Sequence, residues 1–250
     1  RPPPRSTLFP YTTLFRSVLL RQVFLAFVPV LYGWLAWSSP RLRLRALGGM
    51  LISTALLGAL VLPWTLRNYR AFGGLVPLNT NAGYVMFWAN HPVHGRNFIP
   101  ILPSAVYREL IPAHLMALDE AALDRELLYL GLAEIGREPW RFLALSAGRA
   151  REYFKFWPSP DSGMASNLAR PLSFGLLLPL AMLGLWGRGA KAGGPAGVLL
   201  LFVTTYTLVH LLTWSLIRYR LPVDAVLVVF GAAGIAILLE RMRLAKRRLL

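Results

Sequence analysis

The sequence predicts an all-α fold: a polytopic α-helical membrane protein with about five transmembrane helices and one extracytoplasmic helix-and-loop region. Three observations predict it. Of the 250 residues, 56% are hydrophobic and only 15% are charged, and mean hydropathy is +0.50. Soluble domains run near 45–50% apolar and about 25% charged. Five apolar runs approach the roughly twenty residues a helix needs to span a bilayer. The formal net charge of +16 sits on basic residues flanking those runs, with no continuous basic face or nucleic-acid motif, so nucleic acid is excluded as a partner. The lipid bilayer is the expected one. With no cysteine, neither disulfides nor thiolate metal sites are available.

Residues 1–17 differ from the rest of the chain. Ser6-Thr7-Leu8-Phe9-Pro10 is nearly echoed by Thr12-Thr13-Leu14-Phe15-Arg16-Ser17 behind three prolines. The stretch is too polar and broken for a signal peptide. It resembles translated sequencing-adapter sequence, and we read it as non-native, with the native chain expected to begin upstream.

Residues 18–66 read as two spans, Val18 to Trp37 and Ala46 to Trp64, joined by a turn carrying Arg41, Arg43 and Arg45. Arg21, Trp34 and Trp37 suit the interfaces of the first. The second is rich in small residues that permit close helix packing, and Pro63-Trp64 is expected to close it. Residues 67–171 hold 11 of the 27 basic residues and 9 of the 11 acids. The first half is punctuated by Gly73-Gly74, Pro77, Gly83, Pro92, Gly95, Pro100 and Pro103, and reads as loop. The second half reads as helix, with Asp119 as N-cap and Leu123, Leu127 and Leu130 as one apolar stripe. Pro139 suits the first position of another helix. The aromatics Tyr153, Phe154, Phe156 and Trp157 are expected to lie on the membrane.

Residues 172–250 hold three further spans, Leu172–Trp186, Pro195–Trp214 and Leu221–Leu239, and a basic tail. The first is short and is expected to start upstream or to tilt. The turn at 38–45, the turn at 187–194 and the tail carry three, two and five basic residues against the single acid Glu240. The positive-inside bias makes that side cytoplasmic. The expected location is therefore a bacterial inner membrane, multi-pass, with the C-terminus cytoplasmic and residues 67–171 outside.

On that outer face the candidates for chemistry are few. Arg218-Tyr219-Arg220-Leu221-Pro222 stands before the last span. Arginines there either snorkel as interfacial anchors or hold a phosphate, which their fork of donors matches. Arg67, at the same expected depth, could join Arg218 and Arg220 on one anion. His91 and His94 have a spacing seen in metal sites, but no third ligand is near and no metal is assigned. The acids Glu109, Asp119, Glu120, Asp124, Glu126, Glu134 and Glu138 read as solvated faces with local ion pairs, none of them a catalytic base. Asp224 is expected to pair with Arg220, four residues away.

Pro63-Trp64-Thr65-Leu66-Arg67-Asn68-Tyr69, Phe72-Gly73, Val76-Pro77, Thr80-Asn81-Ala82-Gly83 and Ala89-Asn90-His91-Pro92 succeed one another in that order. With Arg218-Tyr219-Arg220-Leu221-Pro222-Val223, they resemble blocks of the bacterial membrane glycosyltransferases of the GT-C superfamily. The branch concerned includes protein mannosyltransferase-like and lipid A aminoarabinose transferase-like enzymes. The resemblance covers about residues 18–245. It implies an inverting transferase that moves a sugar from a polyprenyl-phosphate donor to an acceptor protein, lipid or glycan. It implies donor-phosphate binding by Arg67, Arg218, Tyr219 and Arg220, and a substrate cavity shaped by Asn68, Asn81, Gly83, Asn90 and His91. The acidic base, and any divalent metal of the full-length enzyme, belong in such proteins to a first external loop that has no counterpart here. This fragment therefore has no catalytic residue to assign and is expected to be inactive alone, with no cofactor of its own. The competing readings are a non-enzymatic transport or assembly protein, and an O-antigen ligase or polymerase.

Overall fold

The computed structural model describes residues 22–38, 43–160, 162–187 and 194–249. The adapter-like segment 1–17, the expected start of the first span with Arg21, and the loop cations Arg41, Arg188 and Lys191 lie outside the described residues. The chain divides into two compact units. One runs to Pro92 and includes Leu102–Glu138; the other comprises Val93–Ile101 and Pro139–Leu250. Among the described residues all regular structure is helical.

The first unit begins with α1 (Val23–Ser38) and α2 (Arg43–Phe72). In an apolar run the helix is the one local way to satisfy every backbone group. The Tyr32 hydroxyl meets Ser53 Oγ at 2.5 Å and accepts from Thr54 Oγ1 at 3.2 Å, joining the two helices. Pro63 does not close the second span as expected: α2 continues through it for nine residues to Phe72. The true stop is Gly73, at φ 63°, whose N–H returns to Tyr69 O at 2.9 Å. That left-handed position favours glycine.

The punctuated half of the 67–171 region is not all loop. It contains α3 (Ala82–Asn90) and α4 (Ser104–Glu109), ahead of α5 (Glu120–Arg137). The helix α3 forms because of what it packs on. A Cβ at Gly83 would lie 1.6 Å from Asp124 O, and one at Gly131 would lie 2.6 Å from Met86 C. Only glycines allow α3 and α5 to come this close. Asp124 then accepts the otherwise open N–H groups of Gly83 (2.9 Å) and Tyr84 (3.2 Å), an N-terminal cap lent by the neighbouring helix. Asp119 caps α5 as expected, accepting from Ala121 and Ala122 at 2.9 Å each. Phe87, Ile111, Leu115, Leu123 and Leu127 form the core. The apolar stripe of α5 passes from Leu127 to Gly131, whereas Leu130 is exposed.

The second unit starts with α6 (Pro139–Tyr153), with Pro139 at its first position as expected. Next come α7 (Met164–Arg170), a π-helical turn at Pro171–Gly175 and α8 (Leu176–Gly187). Then come α9 (Pro195–Leu212), a 3-10 turn at Ile217–Arg220 and α10 (Leu221–Leu249). Helices α8 and α10 cross through glycine: a Cβ at Gly184 would lie 1.9 Å from Phe230 O, and one at Gly234 would lie 2.1 Å from Leu180 O. Such backbone-to-backbone approach is how apolar helices associate where the hydrophobic effect is weak.

Three stretches are long and apolar enough to cross a membrane: Leu47–Phe72, Met164–Gly187 and Ile217–Leu244. The expected third span does begin upstream, at Met164. Val23–Ser38 and Ala196–Leu212 are shorter apolar helices. The 16 residues of α1 rise about 24 Å, less than the roughly 30 Å hydrocarbon core. The aromatics at the end of α6 form the expected outer surface only in part, with Phe156 exposed at 38%. Tyr153 is fully buried, and Phe154 and Phe156 turn toward Phe174, with ring centroids 6.4 Å away in both cases.

Candidate functional site

In the second unit the segment Arg218-Tyr219-Arg220 forms the 3-10 turn that leads into α10. A short turn with three residues per revolution sends neighbouring side chains in different directions. Arg220 goes inward and is 3% exposed; Arg218 stays exposed. The Arg220 guanidinium donates to Asp224 Oδ1 at 2.9 Å and to Tyr153 O at 2.8 Å, and lies 3.4 Å from the Phe174 ring centroid. The expected Arg220–Asp224 pair is therefore present, and it holds Arg220 inside the fold. Arg218 lies over Tyr219, 5.6 Å from its ring centroid. Tyr219 in turn faces His210 at 4.9 Å.

Below this turn lies a buried polar layer that the sequence did not single out. Along α6, Arg141, Leu145, Arg149 and Tyr153 recur every four residues and are all buried. Arg149 donates to Leu211 O (3.4 Å) and Leu212 O (3.5 Å), the last carbonyls of α9. A cation there satisfies open acceptors and offsets the helix dipole. Burial pulls the Arg149 guanidinium down to about 10, still cationic at neutral pH. A Cβ at Gly148 would lie 2.9 Å from Phe98 Cβ, so glycine there admits the Val93–Ile101 segment. On that segment His94 accepts from Ile99 N–H at 3.2 Å and packs against Phe98 and Trp214. Burial pushes the Tyr153 phenol up to about 12, which rules it out as a base at neutral pH. Its hydroxyl and that of Thr207 stand near one another without hydrogen-bond geometry.

In the first unit, the block around Arg67 and Asn68 has a structural role. Trp64 Nε1 donates to Leu78 O at 2.5 Å, Thr65 Oγ1 to Pro77 O at 2.8 Å, and Asn68 Nδ2 to Val76 O and Leu78 O at 3.0 Å each. Three side chains of α2 thus hold three successive carbonyls, turning the chain back after Gly73. Asn68, 3% exposed, is spent on this clamp. Arg67 remains exposed, over Trp64 at 4.8 Å, donating to Asn68 Oδ1 at 3.2 Å.

The other cavity candidates have mixed positions. Asn81 is exposed ahead of α3; its carbonyl accepts from Val85 N–H, and its side chain makes no cap bond. Gly83 is buried against Asp124. Asn90 is 1% exposed and donates to Met86 O at 2.9 Å. His91 meets the Phe87 ring edge-on at 5.1 Å. Arg67, Asn68, Asn81, Gly83, Asn90 and His91 belong to the first unit, and Arg218, Tyr219 and Arg220 to the second.

The acids also depart from a uniformly solvated set. Burial raises the Asp124 carboxyl above its ordinary range, against the lowering effect of the Tyr84 and Gly83 N–H bonds. Glu134 does make the local pair expected of it, with Arg137 at 2.9 Å. Among the described residues no three His, Asp or Glu side chains cluster as a metal site. The inward row of α6 is visible in the sequence as Arg141, Arg149 and Tyr153 at four- and eight-residue spacings, but arginines at such spacings usually mark a wet face. The chain matches no protein-family model, no curated protein and no solved structure.

Proposed function

We propose that this chain provides donor-phosphate binding in an integral-membrane glycosyltransferase, which moves a sugar from a polyprenyl phosphate to an extracytoplasmic acceptor. The observation that carries the reading is Arg218: an exposed guanidinium on a fixed mount at the head of an apolar helix of spanning length. Its neighbour Arg220 is anchored to Asp224 and Tyr153, so the turn presenting Arg218 is rigid. When a glycosyl–phosphate bond breaks, negative charge grows on the leaving phosphate, and a preorganised cation lowers that barrier. Arg218 is the direct ligand in this reading, Tyr219 orients it, and Arg220 is a positioning residue. Arg67 is an exposed cation of the first unit. The base belongs to the acidic external loop that the family resemblance implies, and the five-span topology, the outward face and the bacterial inner membrane are part of the same proposal.

The test is binding of a polyprenyl phosphate to the purified chain in detergent. Arg218→Ala is expected to weaken binding at least tenfold at unchanged melting temperature, and Arg218→Lys to recover only part of it, since lysine lacks the planar fork. Equal affinity in all three proteins would leave Arg218 as an interfacial anchor, the role its stacking on Tyr219 also fits.

A further inference from the structure

Helix α6 is amphipathic in an inverted sense. Its inward row is Arg141, Leu145, Arg149 and Tyr153, all buried. Its outward row is Trp140, Leu143, Ala147 and Arg151, all exposed, with Trp140 at 82% and Leu143 at 54%. Steps of three and four residues keep each row on one face. A soluble helix would place its arginines outside and its tryptophan inside. We infer that the outward row of α6 lies against the headgroup–acyl boundary of the lipid bilayer, making α6 an interfacial helix rather than part of a water-facing domain.

Three observations select lipid as the occupant. First, the inward face is fixed to the ends of apolar helices of its own unit: Arg149 holds the last carbonyls of α9, and the Tyr153 carbonyl is held by Arg220 just before α10. That sets α6 at the level where those helices leave the hydrocarbon. Second, the same unit carries a second exposed apolar row, Met164, Leu168, Leu172 and Leu176, at 87%, 61%, 61% and 57%. It runs in four-residue steps down the candidate span Met164–Gly187, and lipid is the surface such a row meets. Third, the outward row of α6 pairs an indole and a leucine with a terminal arginine. Tryptophan favours the interface because its ring is apolar and its N–H polar, and the arginine suits lipid phosphates.

The inference does not depend on the transferase reading, and the cysteine-free sequence makes its test clean. Single variants Trp140→Cys, Leu143→Cys and Ala147→Cys of the full chain are labelled with a nitroxide. They are reconstituted in phosphatidylethanolamine–phosphatidylglycerol vesicles and probed by spin-label collision with oxygen and with a water-soluble nickel chelate. Oxygen is expected to collide more often than the chelate at all three positions. Ala147→Cys alters the face least and preserves the test if the tryptophan variant misfolds. Chelate collisions as frequent as those of free label in buffer would overturn the inference in favour of a wet face. Exclusion of both probes would overturn it in favour of a protein partner.

Discussion

Helix α2 and the α8–α10 pair share a composition and differ in what their glycines do. In α2, a Cβ on Gly48, Gly49 or Gly58 would meet nothing within 4 Å. In α8 and α10, a Cβ on Gly184 or Gly234 would enter the backbone of the facing helix. The α3–α5 crossing of the first unit behaves like the latter, with Gly83 and Gly131 against backbone atoms. A glycine in an apolar helix is thus a licence for close approach that only a partner helix can use. Small residues in a span do not by themselves identify a packed face, contrary to what the composition of the second span suggests.

The largest effect is expected where the licence is used. Gly184→Leu forces the backbones of α8 and α10 apart, and overpacking of this kind costs about 1–3 kcal/mol or more. It should remove most folded protein, read as monodisperse yield and melting temperature in detergent; an unchanged melting temperature would break the contrast. A smaller effect is expected at the α3–α5 crossing. Asp119→Ala removes the α5 cap and should cost about 1 kcal/mol, measured by thermal unfolding.

Asp124→Asn sharpens the same crossing through pH. The folded carboxyl is raised above its ordinary range, so the native state favours its protonated form. Its contribution is fully present below the unfolded pKa and is lost as pH rises through the folded one. At neutral pH the charged form is the burdened one. An asparagine keeps an oxygen for Gly83 and Tyr84 without the charge. The variant should therefore melt no lower than the parent at pH 7, with any advantage shrinking as pH falls through the carboxylate range. A lower melting temperature at neutral pH would mean that the negative charge itself holds α3. The smallest effect is expected at Gly58→Leu, which should leave the stability within about 0.5 kcal/mol of the parent.

How much of the fold is legible in the sequence depends on the range of the forces involved. Apolar runs, the Asp119 cap, the Pro139 start and the Arg220–Asp224 pair are local in the chain, and local spacing reveals them. Helix α3 is hidden because Gly83 and the asparagines Asn79, Asn81 and Asn90 at and around its ends argue for loop, and it exists through contacts with α5 some forty residues on. The clamp of Trp64, Thr65 and Asn68 on Val76–Leu78 is hidden for a similar reason. Polar side chains grouped near a membrane surface look alike whether they bind a ligand or the protein's own carbonyls. Arg218 and Arg220, two residues apart, cannot be separated by spacing; the turn conformation sends one out and the other in.

The π-turn at Pro171–Gly175 has a geometric consequence for the helix that contains it. An α-helix advances about 100° per residue, and a π-turn takes up an extra residue per turn. Arg170, just before it, is buried with its guanidinium on Ser166 Oγ and Trp157 O. Gly184, well after it, is buried against Phe230. The turn acts as a phase shifter, setting the facing of α7 independently of the α8 seam. Deleting one residue of the bulge would restore a regular helix, but it would swing Arg170 by about 100° away from the carbonyl it now holds.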